Sequence, residues 1–212
     1  MSAAADRAAD AGAGGVRLDP VTGENIDALL EVAVRPDQDH FVGSVAKSLA
    51  EAYAHGPVAW PRAIVATRPS GGTTGEAATG GAAPGDDGPS ARPTRPSGEE
   101  VVGFVMAFLD VEWDDDPADV RSGLWRLNVD AAHQGRGHGA AAVRAVCAEL
   151  RSRGCSAAYV TYHEGPGSPA PFYAGLGFVP TGELSEGETV ARLDLTQDAA
   201  APGAASPGAG DA

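Results

Sequence analysis

His133 to Gly139, HQGRGHG, puts three glycines into seven residues. The stretch lies between an apolar run that reads as a strand, LWRLNV (124–129), and an alanine-rich run that reads as a helix, AAAVRAVCAEL (140–150). A strand, a bare turn and a helix in that order make an anion site, because the first helical N–H groups have no partner and the helix dipole adds about half a positive charge. Three motifs use this device. A Walker loop needs a Lys before Ser or Thr after its last glycine, and none follows here. A dinucleotide fingerprint needs G-x-G-x-x-G near the start of its fold, whereas Gly135, Gly137 and Gly139 follow G-x-G-x-G and come after two helical and at least two strand-like segments. The third option is Q-x-x-G-x-G, supplied by Gln134, Gly137 and Gly139.

Outward from that turn, VTGENIDALLEVAV (21–34) places Ile26, Leu29, Leu30 and Ala33 at helical spacing, with Thr22 as cap, and FVGSVAKSLAEAYAHG (41–56) repeats the pattern with Val45, Leu49 and Tyr53. RAIVAT (62–67) and VVGFVMAFLDV (101–111) read as neighbouring hairpin strands whose loop has been lengthened, which costs little because closure entropy grows logarithmically. GLWRLNVD is a strand, and the helix after the glycines stops at Gly154. SAAYVTY (156–162) is a strand, SPAPFYAGLG (168–177) a short helix, and GFVPTGE and ETVARLDL two closing strands. The expectation is a mixed α/β layer built on one sheet.

Residues 1–15, 68–100 and 196–212 are dominated by Ala, Gly, Pro, Ser and Thr, a composition that buries too little apolar surface to order a chain. They are expected to be disordered. The folded domain then runs over 16–195 around a disordered insertion, about 150 residues, enough to bury roughly 70% of the unfolded surface. The net charge of −14 repels nucleic acid and anionic membranes and attracts cations. Cys147 and Cys155 make neither a disulfide framework nor a metal motif, so no metal is expected. No apolar signal core or run of about 18 apolar residues is present, which reads as cytoplasmic. A homodimer stays open.

With Gln134 to Gly139 in that context, the chain resembles the GNAT superfamily of acetyl-CoA-dependent N-acetyltransferases. FYAGLGF (172–178) is similar to the family's second block, a short tyrosine-bearing helix ending in L-G-F. A narrower resemblance, to bacterial spermine/spermidine N-acetyltransferases, covers VRPDQDHFVGSVAKSLAEAY, VVGFVM, RLNVDAAHQGRGHGAAA and GFVPTGELSEGETVARLDL. EGPGSPAPFY lacks the P-x-N element usual ahead of that helix, a departure that bears on the acceptor.

The resemblance implies the GNAT fold: a central, mostly antiparallel twisted sheet with splayed parallel central strands and helices on both faces. It implies acetyl-CoA as co-substrate, held by Leu127, Asn128 and Val129 along the pantetheine and by Gln134, Gly135, Arg136, Gly137, His138, Gly139 and Ala140 at the pyrophosphate. Tyr173 is the expected acid for the departing thiolate and also touches the coenzyme. His163 and Glu164, just past a strand end, are the expected bases. DVEWDDDPAD (110–119) carries six carboxylates, and with Glu183, Glu186 and Glu188 it suggests a polycationic acceptor. Gln38, Glu51, Glu112, Trp113 and Arg126 are the expected acceptor-binding residues, Trp113 through cation–π contact. The function expected is acetyl transfer to a primary amine, a polyamine such as spermidine or spermine. Alternatives are an aminoglycoside-like or other small amine, or a non-catalytic acyl-CoA-binding module.

Overall fold

A computed structural model of the chain describes residues 15–67 and 98–196. The segments expected to be disordered lie almost wholly outside these residues. The exceptions are Gly15, Gly98 and Thr196 at the segment ends and Glu99–Glu100, which pair with Thr67 and Ala66 and so belong to a strand rather than to the end of the insertion.

Seven strands form one sheet: β1 (Val16–Pro20), β2 (Ala59–Thr67), β3 (Glu99–Trp113), β4 (Asp116–Val129), β5 (Ala157–Tyr162), β6 (Val179–Ser185) and β7 (Glu188–Asp194). Their order is β1-β2-β3-β4-β5-β7-β6, antiparallel throughout except where β4 meets β5. Four helices complete the described residues: α1 (Ile26–Leu30), α2 (Val45–His55), α3 (His138–Ser152) and α4 (Ala170–Gly175). Each sheet face carries its own core. Val143, Val146, Cys147 and Leu150 of α3 pack on Ile64, Val105, Leu124 and Val160, while Leu29 of α1 and Val45 of α2 pack on Val65, Phe104 and Met106. This is the mixed α/β fold expected, with helices on both faces.

The parallel pair is the feature that positions everything else. β4 and β5 touch only at Gly123 with Tyr159 and Leu124 with Val160, and beyond that they separate. At the contact a Cβ on residue 123 would lie 2.1 Å from the Tyr159 carbonyl oxygen, so only glycine lets the strands meet there. One step on, β4 bulges. Arg126 opposes Met106 and Leu124 opposes Ala107, leaving Trp125 as the extra residue. The bulge keeps Leu124 and Leu127 on the α3 face while Trp125 packs against the other core.

Several local expectations are corrected. β1 was not expected; Arg17 fixes it by bridging Asp19 and Glu99 at 2.6 and 2.7 Å. α1 covers only five residues of its expected span, with Asn25 as cap residue. α2 begins at Val45 behind Ser44, whose hydroxyl accepts from Lys47 N–H, and its Tyr53 is 92% exposed rather than part of the apolar stripe. The acidic run is not a loop. β3 continues to Trp113, β4 starts at Asp116, and Asp114 and Asp115 turn the hairpin with φ of 51° and 58°, the left-handed pair of a type I′ turn. Gly154 does end α3 as expected, at φ 89°, with Cys155 N–H returning to Leu150.

Candidate active site

Where β4 and β5 separate, a cleft of about 940 Å³ opens. Its walls come from the 34–43 segment, the start of α2, the end of β4, the 133–140 turn, the end of β5, the 163–169 segment, α4 and Glu188 at the start of β7.

The turn at one end is built by backbone. Gly135 and Gly137 have φ of 74° and 82°, with open space where a Cβ would sit, so conformation demands glycine at both. Gly137 caps α3, and the first helical bond returns from Ala141 N–H to its carbonyl. The N–H groups of His138, Gly139 and Ala140 are therefore left at the helix start, which borders the cleft. A Cβ at Gly139 would lie 3.5 Å from Val129 and 3.6 Å from Phe172, ordinary packing distances that place the first turn of α3 beside β4 and α4. Gln134 points inward: its Nε2 donates to Gln38 Oε1 at 2.7 Å and to the Val129 carbonyl at 2.9 Å, tying the turn to the strand end.

Leu127 and Val129 line the cleft, whereas Asn128 is buried on the opposite face with its Nδ2 donating to the Gly43 carbonyl. Arg136 does not border the cleft, though its neighbours on both sides do. Asn128 thus acts by holding the 34–43 segment against the sheet.

Further along, α4 presents Tyr173. Its ring is buried, stacked on Tyr162 at 5.8 Å and edge-on to Phe172 and Phe178 at 5.1 and 5.7 Å. Burial, and then the charge of Glu188, push its phenol well above the usual tyrosine range, so it holds its proton at neutral pH. Ser168 supports this helix by donating to the His163 carbonyl and accepting from Ala170 N–H.

His163 lines the cleft, and its Nε2 lies 3.3 Å from Glu188 Oε1. The other Glu188 oxygen accepts from the Thr161 hydroxyl. Glu188 was not expected as a site residue beyond its place in an acidic region. Nothing in its sequence context marks it, because only the β5–β7 pairing of Tyr162 with Thr189 carries it to the cleft. Glu164 is corrected: it turns outside the cleft and accepts from the Thr189 hydroxyl at 3.3 Å.

The acceptor-side residues divide. Gln38 and Arg126 border the cleft, and Glu51 holds Arg126 at 3.1 Å from behind. Glu112 and Trp113 do not, since both lie towards the β3–β4 hairpin tip. Trp113 is already covered by the Arg121 guanidinium 4.7 Å from its ring, and Arg121 is in turn bound by Asp119 and Glu183. The six carboxylates of residues 110–119 therefore lie off the cleft, and among its lining residues Glu188 is the carboxylate. The rims meet where Phe41 approaches Gly167, whose φ is 81° and whose Cβ would come within 3.2 Å of that ring. Among the described residues no cluster of His, Cys, Asp and Glu could hold a metal, and no helix is long and apolar enough to cross a membrane.

A backbone anion cradle, a gap between splayed strands and a buried proton-bearing phenol at its wall are the parts of an acetyl-CoA-dependent N-acetyltransferase. Residues 84–178 match the family model described as the acetyltransferase (GNAT) family. Solved structures share the fold at low identity. A domain from Methanocaldococcus jannaschii aligns with a TM-score of 0.55 at 13% identity over 85% of this chain and 99% of its own. The GNAT domain of S. lividans PAT gives 0.54 at 16%, over 84% and 89%. The PaiA N-acetyltransferase of Thermoplasma acidophilum, solved in complex with coenzyme A, gives 0.51 at 9%, over 85% and 99%. No curated protein matches the sequence.

Proposed function

We propose that the cleft binds acetyl-CoA with its diphosphate on the amides of Gly135 to Ala140 and its pantetheine between β4 and β5, and that a primary amine attacks the thioester directly. The observation that carries this reading is the continuity of one cleft from the first turn of α3, past Leu127 and Val129, to Tyr173 and His163. The extended pantetheine would take the place of the strand pairing that β4 and β5 give up beyond Leu124.

In the reaction the amine nitrogen forms a bond to the acetyl carbon, the C–S bond breaks, and two protons move. The amine gives up one, for which the His163–Glu188 pair is the acceptor, with the carboxylate orienting the ring and stabilising its cationic form. The departing thiolate takes the other from Tyr173, whose phenol is kept protonated by burial. Rate comes chiefly from holding amine and thioester together.

A polyamine is the finer acceptor that the sequence resemblance favours, and Glu188 is the carboxylate that would meet its ammonium group. A second reading, a small amine that also bears an anionic group, is favoured by Lys47 and Arg126 on the wall. Thiol release from acetyl-CoA across an amine panel decides between them. Turnover with spermidine supports the first. Turnover confined to amino acids supports the second, turnover confined to aminoglycosides replaces both with another cationic amine, and coenzyme binding with no turnover on any amine leaves an acyl-CoA-binding module.

A further inference from the structure

The coenzyme end of the cleft carries two imidazoles that the acetyl-transfer chemistry does not use. His133 closes the short 3-10 turn Ala131–His133, and His138 is the first residue of α3. Both border the cleft, and their ring centroids are 6.4 Å apart. His133 and Arg136 act on His138 in the same sense, each disfavouring its charged form. The carboxylate in this corner, Glu100, lies on the far ring, with its Oε1 3.5 Å from His133 Nε2. Along α3 itself the next charged side chain is Arg144, six residues and about 9 Å further on. His138 therefore sits among positive charge and unpaired amides. Burial first, then His133 and Arg136, hold its titration below the ordinary imidazole range, so it is neutral at pH 7 in the free protein.

A diphosphate placed on the same amides reverses the sign of that field. Its two negative charges would lie within a few ångströms of the ring, and an imidazolium there gains both an ion pair and a charge-assisted hydrogen bond. We propose that coenzyme binding to this domain is coupled to proton uptake at His138, with His133, anchored by Glu100, completing an imidazole clamp on the diphosphate. The inference rests on the coenzyme reading above and deepens it, since the clamp adds side-chain recognition to a cradle otherwise made of backbone.

The linkage has a definite sign. Binding raises the proton affinity of His138, so the coenzyme binds more tightly as the pH falls from 8 towards 6, by severalfold for one proton taken up. The coenzyme's own 3′-phosphate titrates in this range and releases protons on entering a cationic site, which would mask the effect. 3′-Dephospho-CoA lacks that group, and its diphosphate does not titrate between pH 6 and 8.

The test is calorimetry of the full chain with 3′-dephospho-CoA at pH 7 in Tris and in PIPES, whose ionisation enthalpies differ widely. Expected are apparent enthalpies that diverge in the sense of proton uptake. The divergence should be lost in both His138→Gln and His138→Asn, with one-to-one binding retained and circular dichroism showing the variants folded. Equal enthalpies for the unaltered chain, or an uptake that both variants leave intact, would overturn the inference while leaving the coenzyme site standing. Absence of any heat with either 3′-dephospho-CoA or CoA would remove the coenzyme reading and this one with it.

Discussion

At the proposed coenzyme end of the cleft the groups assigned to binding are backbone amides of six consecutive residues, Gly135 to Ala140. At the acceptor end they are side chains brought together from the 34–43 segment, α2, β4, β5 and β7. The first kind of site is written contiguously in the chain and depends on where the backbone can go. The second exists only after the sheet has formed, and its chemistry depends on partners far apart in sequence, such as Glu188 with His163 and Glu51 with Arg126. Substitutions should therefore act differently at the two ends, and the joint between them should be the most sensitive point.

That joint is Gly123. Gly123→Val places a side chain into the Tyr159 carbonyl, forcing β4 and β5 apart where they pair. The expected cost is at least about 3 kcal/mol, read as a large drop in thermal midpoint, with coenzyme and acceptor functions lost together. A variant that keeps wild-type stability would show that the strands do not depend on this contact.

Tyr173→Phe should separate the ends. It removes the proposed proton donor to the thiolate and leaves the 135–140 turn untouched, so kcat should fall about 100-fold or more. The Kd for acetyl-CoA by calorimetry should stay within about threefold, less than 1 kcal/mol. Because burial raises the phenol's pKa, Tyr173 remains protonated as pH rises, and kcat of the unaltered enzyme should hold up to about pH 9. A loss of activity below that pH that disappears in Tyr173→Phe would contradict the assignment.

Glu188→Gln acts one step further back, through His163. The expected effect is about a tenfold loss in kcat/KM for the amine with an unchanged Kd for acetyl-CoA. An unchanged kcat/KM would return the amine's proton to solvent.

The smallest effect belongs to Gln134→Ala. The side chain makes two hydrogen bonds that position the turn. Its loss should cost about 1 kcal/mol, roughly fivefold in coenzyme Kd, with kcat at saturating acetyl-CoA unchanged.

The same division explains what the sequence disclosed. HQGRGHG and FYAGLGF are local, so the glycine turn could be read from its residues and the α4 tyrosine from a contiguous resemblance. The splay could be expected only through resemblance, and its cause, the glycine at 123, needed the Tyr159 carbonyl on another strand. The acidic run 110–119 misled because composition records charge and not direction: a type I′ turn at Asp114–Asp115 makes it a hairpin tip whose charges serve Arg121. Glu188 was hidden for the converse reason. Its neighbours in sequence, Gly187 and Thr189, say nothing about His163, which comes beside it across the β5–β7 ladder.

Backbone amide shifts of the ¹⁵N-labelled chain, followed as CoA is added, test the amide cradle most directly. The shifts expected are largest at Gly135 to Ala140, followed by Leu127 and Val129, and they saturate at one coenzyme per chain. Saturating shifts confined to other residues, or none at all, would contradict it.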